Sequence, residues 1–304
     1  MTGVGTITGN SVCFQPSSSM PHLILQAPNL LPADIERIAA LANAGGVQEV
    51  GPTHVRILDV DPDGLDEALA VCRQRRIDAA CLDQLVPLRS CRLLAMDMDS
   101  TLVNIECIDE IADMAGRKAE VSAITEAAMR GEIADFSESL RRRVALLRGV
   151  PESALQQVFE ERLALNPGAQ RLIEVAQASG LHTLLVSGGF TYFTERLRRG
   201  LGLAEAHSNT LEIADGVLTG RVLGDIVDGR AKAEYVARAA ARLGASPEQI
   251  IVVGDGANDL PMMAHAAYSV AYRAKPAVRA QARFTLDYSP LDAILNWFRL
   301  ATVR

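Results

Sequence analysis

From Cys91 onward the chain alternates short apolar runs with stretches of helical periodicity. The runs at 93–96, 183–187, 250–254 and 269–272 are short and nearly unbroken in apolar character, as expected of strands buried on both faces. Gly-rich or polar turns and then helical sequence follow most of them. That grammar predicts a parallel sheet with helices on both faces, an α/β, Rossmann-like core. Ligands in such folds lie beyond the carboxyl ends of the strands, where Asp97, Ser187 and Asp255 fall. Between the first two runs lies a long insert, 108–165. There Ile124, Ala127 and Ala128, then Leu140, Val144 and Leu147, recur at helical spacing. It predicts a helical cap over the crevice, with a loop near 133–136 and a helix restarting at Ser137. The segment 211–226, turning at Asp215-Gly216, predicts a hairpin.

Residues 21–88 follow another rhythm: strand 22–27, helix 32–44, strands 47–50 and 54–60, helix 66–75, and a last strand within 77–87. Ile35, Ile38, Ala39 and Ala42 mark the buried face of the first helix, and Gly45-Gly46 stops it. This is the element order of a small α+β, ferredoxin-like unit. The order resembles that of the amino-acid-binding regulatory domains called ACT domains. The resemblance permits an amino-acid effector at this domain, or a homodimer contact. The boundary to the 91–304 unit falls near 88–90. Residues 1–20, rich in Gly, Ser and Thr, read as a disordered tail.

Composition narrows the function classes. The chain has 304 residues, enough for two cores, with 49% apolar and 22% charged residues. A net charge of −7 and an aromatic content of 4% argue against a nucleic-acid face or stacking platform. No apolar run approaches the roughly 20 residues that span a bilayer. Residues 1–20 lack the basic start and apolar segment of a secretory signal. Five cysteines (Cys13, Cys72, Cys81, Cys91, Cys107) show no metal-ligand spacing and read as reduced thiols of a cytoplasmic protein.

The chemistry concentrates at the strand exits. Asp97 and Asp99 flank one residue where the first run ends. Two carboxylates there are costly unless a cation meets them. One can attack phosphorus when charge is neutralised, and the other can move protons. Ser187-Gly188-Gly189 offers a hydroxyl and backbone N–H groups to an anion, although alone it would be a simple turn. Lys232, just inside a helix, can supply a point charge, although a lone helical lysine is usually solvated. Gly254-Asp255-Gly256-Ala257-Asn258-Asp259 is rich in oxygen donors and suits Mg²⁺. Helix capping would explain one of its aspartates but not two together with a partner at another strand exit.

Together these segments resemble the haloacid dehalogenase superfamily, and within it the phosphoserine phosphatases. The Asp-x-Asp-x-Thr pattern is Asp97-Met98-Asp99-Ser100-Thr101. The second motif is Ser187, the third Lys232, and the fourth Gly254-Asp255-Gly256-x-Asn258-Asp259, all in order. The resemblance implies Asp97 as nucleophile and Asp99 as general acid, then base. It implies Mg²⁺ held by Asp97, the backbone carbonyl of Asp99, and Asp255. Asp259 would orient metal-bound water or contact Lys232. Ser187, Gly188, Lys232 and Asn258 would hold the phosphoryl group.

The resemblance also assigns the insert: Glu106 to a substrate ammonium, Arg143 to a carboxylate, and Met129 and Phe136 to shielding the site. The implied substrate is O-phospho-L-serine, in the last step of serine biosynthesis. Two further readings stay open. One is a phosphatase or phosphotransferase acting on another small phosphomonoester such as phosphohomoserine. The other is a non-catalytic amino-acid-binding regulator.

Overall fold

The computed structural model describes residues 20–129, 132–133 and 135–300, without the side chains of residues 128–129. The tail assigned to residues 1–20 falls almost wholly outside them.

The N-terminal domain pairs β1 (His22–Gln26), β2 (Gly46–Gly51), β3 (His54–Leu58) and β4 (Asp78–Leu82) in the order β2-β3-β1-β4, every pair antiparallel. This is the ferredoxin-like arrangement expected from the element order. Helices Pro32–Leu41 and Pro62–Arg75 cover one face, packing Ile38, Val71 and Cys72 against Leu23, Leu25 and Ile57. The second helix starts four residues earlier than its apolar spacing suggested. Pro62 sits in its first turn, and the Asp61 side chain caps it by accepting from the Asp63 N–H at 3.0 Å.

The other face of this small sheet docks on the rest of the molecule. Ile24, Ala80 and Leu82 enter the larger core. The Asp78 carboxylate accepts the N–H groups of Asp287, Tyr288 and Ser289 at 2.7, 3.0 and 2.7 Å.

The larger sheet contains β5 (Leu93–Met96), β6 (His182–Phe190), β7 (Glu205–Ala214), β8 (Val217–Leu223), β9 (Ile250–Gly254), β10 (Tyr268–Tyr272) and β11 (Phe284–Leu286). Their order is β11-β10-β9-β5-β6-β7-β8, parallel except for β8 on β7. Alternate residues face opposite cores: Leu94, Met96, Ile251 and Val253 on one side, Leu93, Ala95, Ile250 and Val252 on the other. The chain leaves β5 for β6 on one side and returns to β9 on the other. The crevice past β5 and β9 is therefore the switch point where open α/β sheets bind ligands.

Two elements differ from the sequence expectation. Strand β6 continues past Ser187 to Phe190, slipping register against β7 between Val186 and Phe190. Ser187 thus lies in an irregular strand segment past the end of β5, not in a turn that opens a helix. The hairpin is real, with Asp215 and Gly216 at φ 51° and 75° in its turn, but its first strand begins at Glu205. The polar stretch Glu205–Thr210 hid that start.

The insert is helical, as expected: Cys107–Met114, Lys118–Met129, Phe136–Ala145 and Ser153–Gln157. Asp135 caps the third helix through the Ser137 N–H at 3.0 Å. A lone antiparallel bridge, Val103 to Leu165, ties the two ends of the insert together.

Candidate active site

Strand β5 ends at Met96, so Asp97 emerges at the crevice. The chain then turns sharply, with Ser100 at φ 56°, and brings Asp99 to the same cavity as Asp97. Asn166 holds this turn by donating to the carbonyls of Thr101 and Val103 at 2.8 and 3.0 Å. The Cys107 N–H donates to Asp99 Oδ1 at 3.3 Å. Gly189 approaches so closely that a Cβ there would stand 2.8 Å from the Met98 methyl and 2.9 Å from Asp99 Oδ2. The Gly189 N–H in turn donates to Ser187 Oγ at 2.8 Å.

Lys232 lies in the first turn of helix Gly229–Leu243, whose N-cap Asp228 accepts from the Ala231 N–H at 2.8 Å. Its side chain is fully buried, so the solvated alternative does not hold. The ammonium donates to Asp97 Oδ1 at 2.7 Å and to Asp259 Oδ1 at 2.8 Å. Asp259 Oδ2 accepts the N–H groups of Asp255 and Gly256 at 3.1 and 3.0 Å. Asp259 is therefore engaged at both oxygens. Asp255 Oδ1 accepts from Thr101 Oγ1 at 3.2 Å.

The charge balance is incomplete. Burial, then the Asp259 charge, pushes Asp97 well above the usual carboxylate range. Asp99 rises to about 7 through burial and the neighbouring Glu106, and Asp255 to about 7 through burial, Asp259 and Glu106. Burial opposes the charge on Lys232, but Asp259 and Asp97 outweigh it and raise its pKa. Asp97, Asp255 and Asp259 each place an oxygen within 4.8 Å of the others. Hard oxygens with uncompensated charge suit a divalent cation. With Asp259 engaged elsewhere, Asp97 and Asp255 keep the lone pairs to hold one.

Above this floor lies a cavity of about 380 Å³. The sheet side contributes Asp97, Asp99, Ser187, Gly188, Asp255 and Asn258, and the insert contributes Phe136 and Arg143. Glu106, just before the first insert helix, also lines it and accepts from Ser100 Oγ at 2.6 Å. Arg143 is half-buried, and burial lowers its pKa despite Asp109, Glu106 and Asp99 nearby. The Met129 side chain lies outside the described residues. Lys232 and Asp259 sit beneath the cavity wall rather than in it.

The haloacid dehalogenase-like hydrolase family matches residues 94–264, and a domain family of unknown function matches 23–67. A phosphoserine phosphatase of Polaromonas sp. is 57% identical over 209 residues, covering 67% of this chain and 89% of that one. The chain belongs to the phosphoserine phosphatase family of the haloacid dehalogenase-like hydrolases. Like its relatives it is an enzyme, a phosphoric monoester hydrolase. Two solved structures of the superfamily extend the likeness over the N-terminal domain. One is a probable phosphoserine phosphatase from Vibrio cholerae in unliganded form (TM-score 0.79, 37% identity, 93% of this chain and 88% of that one). The other is a hydrolase from Salmonella enterica serovar Typhi (0.83, 31%, 92% and 99%).

Several residues around this phosphatase site were missed in the sequence. Lys275 lines the cavity, and its backbone N–H meets the Asp255 carbonyl at 3.4 Å. Buried Asn209 of β7 donates to the Gly188 carbonyl and accepts from the Val227 N–H, both at 2.8 Å. It thereby ties the Gly188 segment of β6 to the approach of the Lys232 helix. A polar residue in the middle of a predicted strand would have been the signal, had β7 been recognised. No helix among the described residues is long and apolar enough to cross a membrane.

Proposed function

We propose that the chain hydrolyses O-phospho-L-serine to L-serine and phosphate, the closing step of serine biosynthesis, with Mg²⁺ as cofactor. The observation that carries this reading is the two-sided cavity. Arg143 and Glu106, a carboxylate reader and an ammonium reader, share it with the Asp97–Asp99 pair. A phosphorylated amino acid presents those three charges.

In this reading an Asp97 carboxylate oxygen attacks phosphorus, and the bond from phosphorus to the serine oxygen breaks. Asp99, whose pKa of about 7 leaves a substantial protonated fraction at neutral pH, gives its proton to that oxygen. An aspartyl phosphate remains on Asp97. Asp99 then takes a proton from water as the water oxygen attacks phosphorus, and phosphate leaves with the Asp97 carboxylate restored. Lys232 positions Asp97 throughout, and Ser187, the Gly188 backbone and Asn258 hold the phosphoryl oxygens. A Mg²⁺ ion held by Asp97, Asp255 and the Asp99 carbonyl would neutralise phosphate charge during attack. Phe136, whose ring lies 3.0 Å from where a Gly188 Cβ would stand, closes the site against bulk water.

The four described cysteines are free thiols, which supports a reducing, cytoplasmic setting. An amino-acid effector or a homodimer contact at the N-terminal domain stays part of the proposal. The test is phosphate release from phosphoserine, phosphothreonine and phosphohomoserine, each with Mg²⁺ and with chelator. Phosphoserine should lead, and chelation should stop turnover. A lead for phosphohomoserine, or turnover that survives chelation, would overturn the corresponding half of the reading.

A further inference from the structure

A carboxylate bound in this cavity can accept from more donors than one Arg143 fork supplies. It offers about four lone-pair sites, of which a guanidinium fork takes two. Three hydroxyl residues line the cavity: Thr125, Ser139 and Ser187. Thr125 donates to the Val121 carbonyl at 3.2 Å, so its proton is engaged. Ser187 belongs to the phosphate side. Ser139 is 3% exposed, yet it lines the cavity, and its hydroxyl makes no hydrogen bond among the described residues.

Ser139 also stands one helical turn before Arg143, on the same face of helix Phe136–Ala145. Arg143 Nε donates to the Ser139 backbone carbonyl at 3.4 Å, which draws the guanidinium back over the turn that carries Ser139. Serine is a poorer helix former than alanine, and the Ser139 hydroxyl is not among the sealed, unpartnered polar atoms, so it reaches the cavity space. Neither helix formation nor packing accounts for its presence.

We propose that the Ser139 hydroxyl donates to the substrate carboxylate beside Arg143, and so strengthens selection of amino-acid phosphomonoesters over those lacking the carboxyl group. This rests on the phosphoserine reading above. Ser139 would be a specificity residue, remote from the phosphoryl transfer itself.

The test compares O-phospho-L-serine with O-phosphoethanolamine, which keeps the phosphate and ammonium and lacks the carboxylate. Wild-type preference for phosphoserine checks the functional reading. Ser139→Ala should raise KM for phosphoserine about tenfold with little change in kcat, and shift phosphoethanolamine kinetics by less than about twofold. Combined with Arg143→Ala, the same substitution should lose most of its effect. Unchanged phosphoserine kinetics, or equal losses on both substrates, would overturn the role of Ser139 while the wild-type preference stands. A wild type with no preference would overturn the phosphoserine reading, and this inference with it.

Discussion

Lys232, beneath the floor of the cavity, and Arg143, on its cap side, are held in opposite ways. Lys232 is fully buried and bonded to two carboxylates, and one of these, Asp259, is itself fixed by two backbone N–H groups. Arg143 is half-buried, and its one hydrogen bond among the described residues is long, to a backbone oxygen at 3.4 Å. Near it, Glu106 accepts from Ser100, and the Ser139 hydroxyl has no hydrogen-bond partner among the described residues. The floor is a closed network whose members position one another before substrate arrives. The cap side keeps its donors open for a ligand to complete. In the proposed reading, reaction chemistry is thereby pre-arranged in the sheet, and recognition is left to the insert.

That division can be broken most severely from the floor. Asp97→Asn should lower kcat by at least about a thousandfold, because an amide cannot serve as the nucleophile. The amide oxygen still accepts from Lys232 and one poorly compensated charge is gone. Thermal melting without metal should therefore be unchanged or higher. A variant with substantial phosphate release would end the nucleophile assignment, and a collapsed melting temperature would show that Lys232 depends on the Asp97 charge.

A cut on the cap side should be smaller and selective. Arg143→Ala should reduce kcat/KM for phosphoserine about a hundredfold and alter an aryl phosphate only several-fold. Equal losses on both would mean that Arg143 supports the floor, erasing the contrast.

The smallest expected effect is on stability. Asp99 and Asp255 have folded pKa values near 7 against ordinary values of 3.8, so the folded protein binds more protons than the unfolded one between about pH 4 and 7. Below this window both states are protonated and there is no penalty. Above it the full cost of two buried charges applies. Metal-free protein should thus melt at falling temperature as pH rises from 5 to 7.5. Added Mg²⁺ should flatten the slope. A melting temperature that climbs through this range in chelator would contradict the charge imbalance.

The same contrast explains what the sequence disclosed. Strands β5, β6 and β9 were legible because burial on both faces demands unbroken apolar runs, and their exits named Asp97, Ser187 and Asp255. Lys232 was legible only through motif order, since a buried lysine and a solvated one look alike in a helical pattern. Asn166 and Asn209 were invisible as staples: their partners, the carbonyls of Thr101 and Gly188, lie 65 and 21 residues away. Strand β7 began unnoticed at Glu205, because its early residues are polar. The docking of the N-terminal domain through Asp78 left no trace either, since backbone N–H groups from 287–289 carry no side-chain signature.

The bridge from Val103 to Leu165 has a consequence of another kind. The insert departs from and rejoins the sheet at neighbouring points, while Leu140, Val144, Leu147 and Leu155 anchor its helices in the same core as the sheet. The entropy of closing such a detour grows only slowly with its length. Loops between the insert helices could therefore lengthen or shorten at small cost while the aspartates beneath stay in place. In the proposed reading, the choice of alcohol can then be altered in those loops while the phosphorus chemistry stays with the sheet.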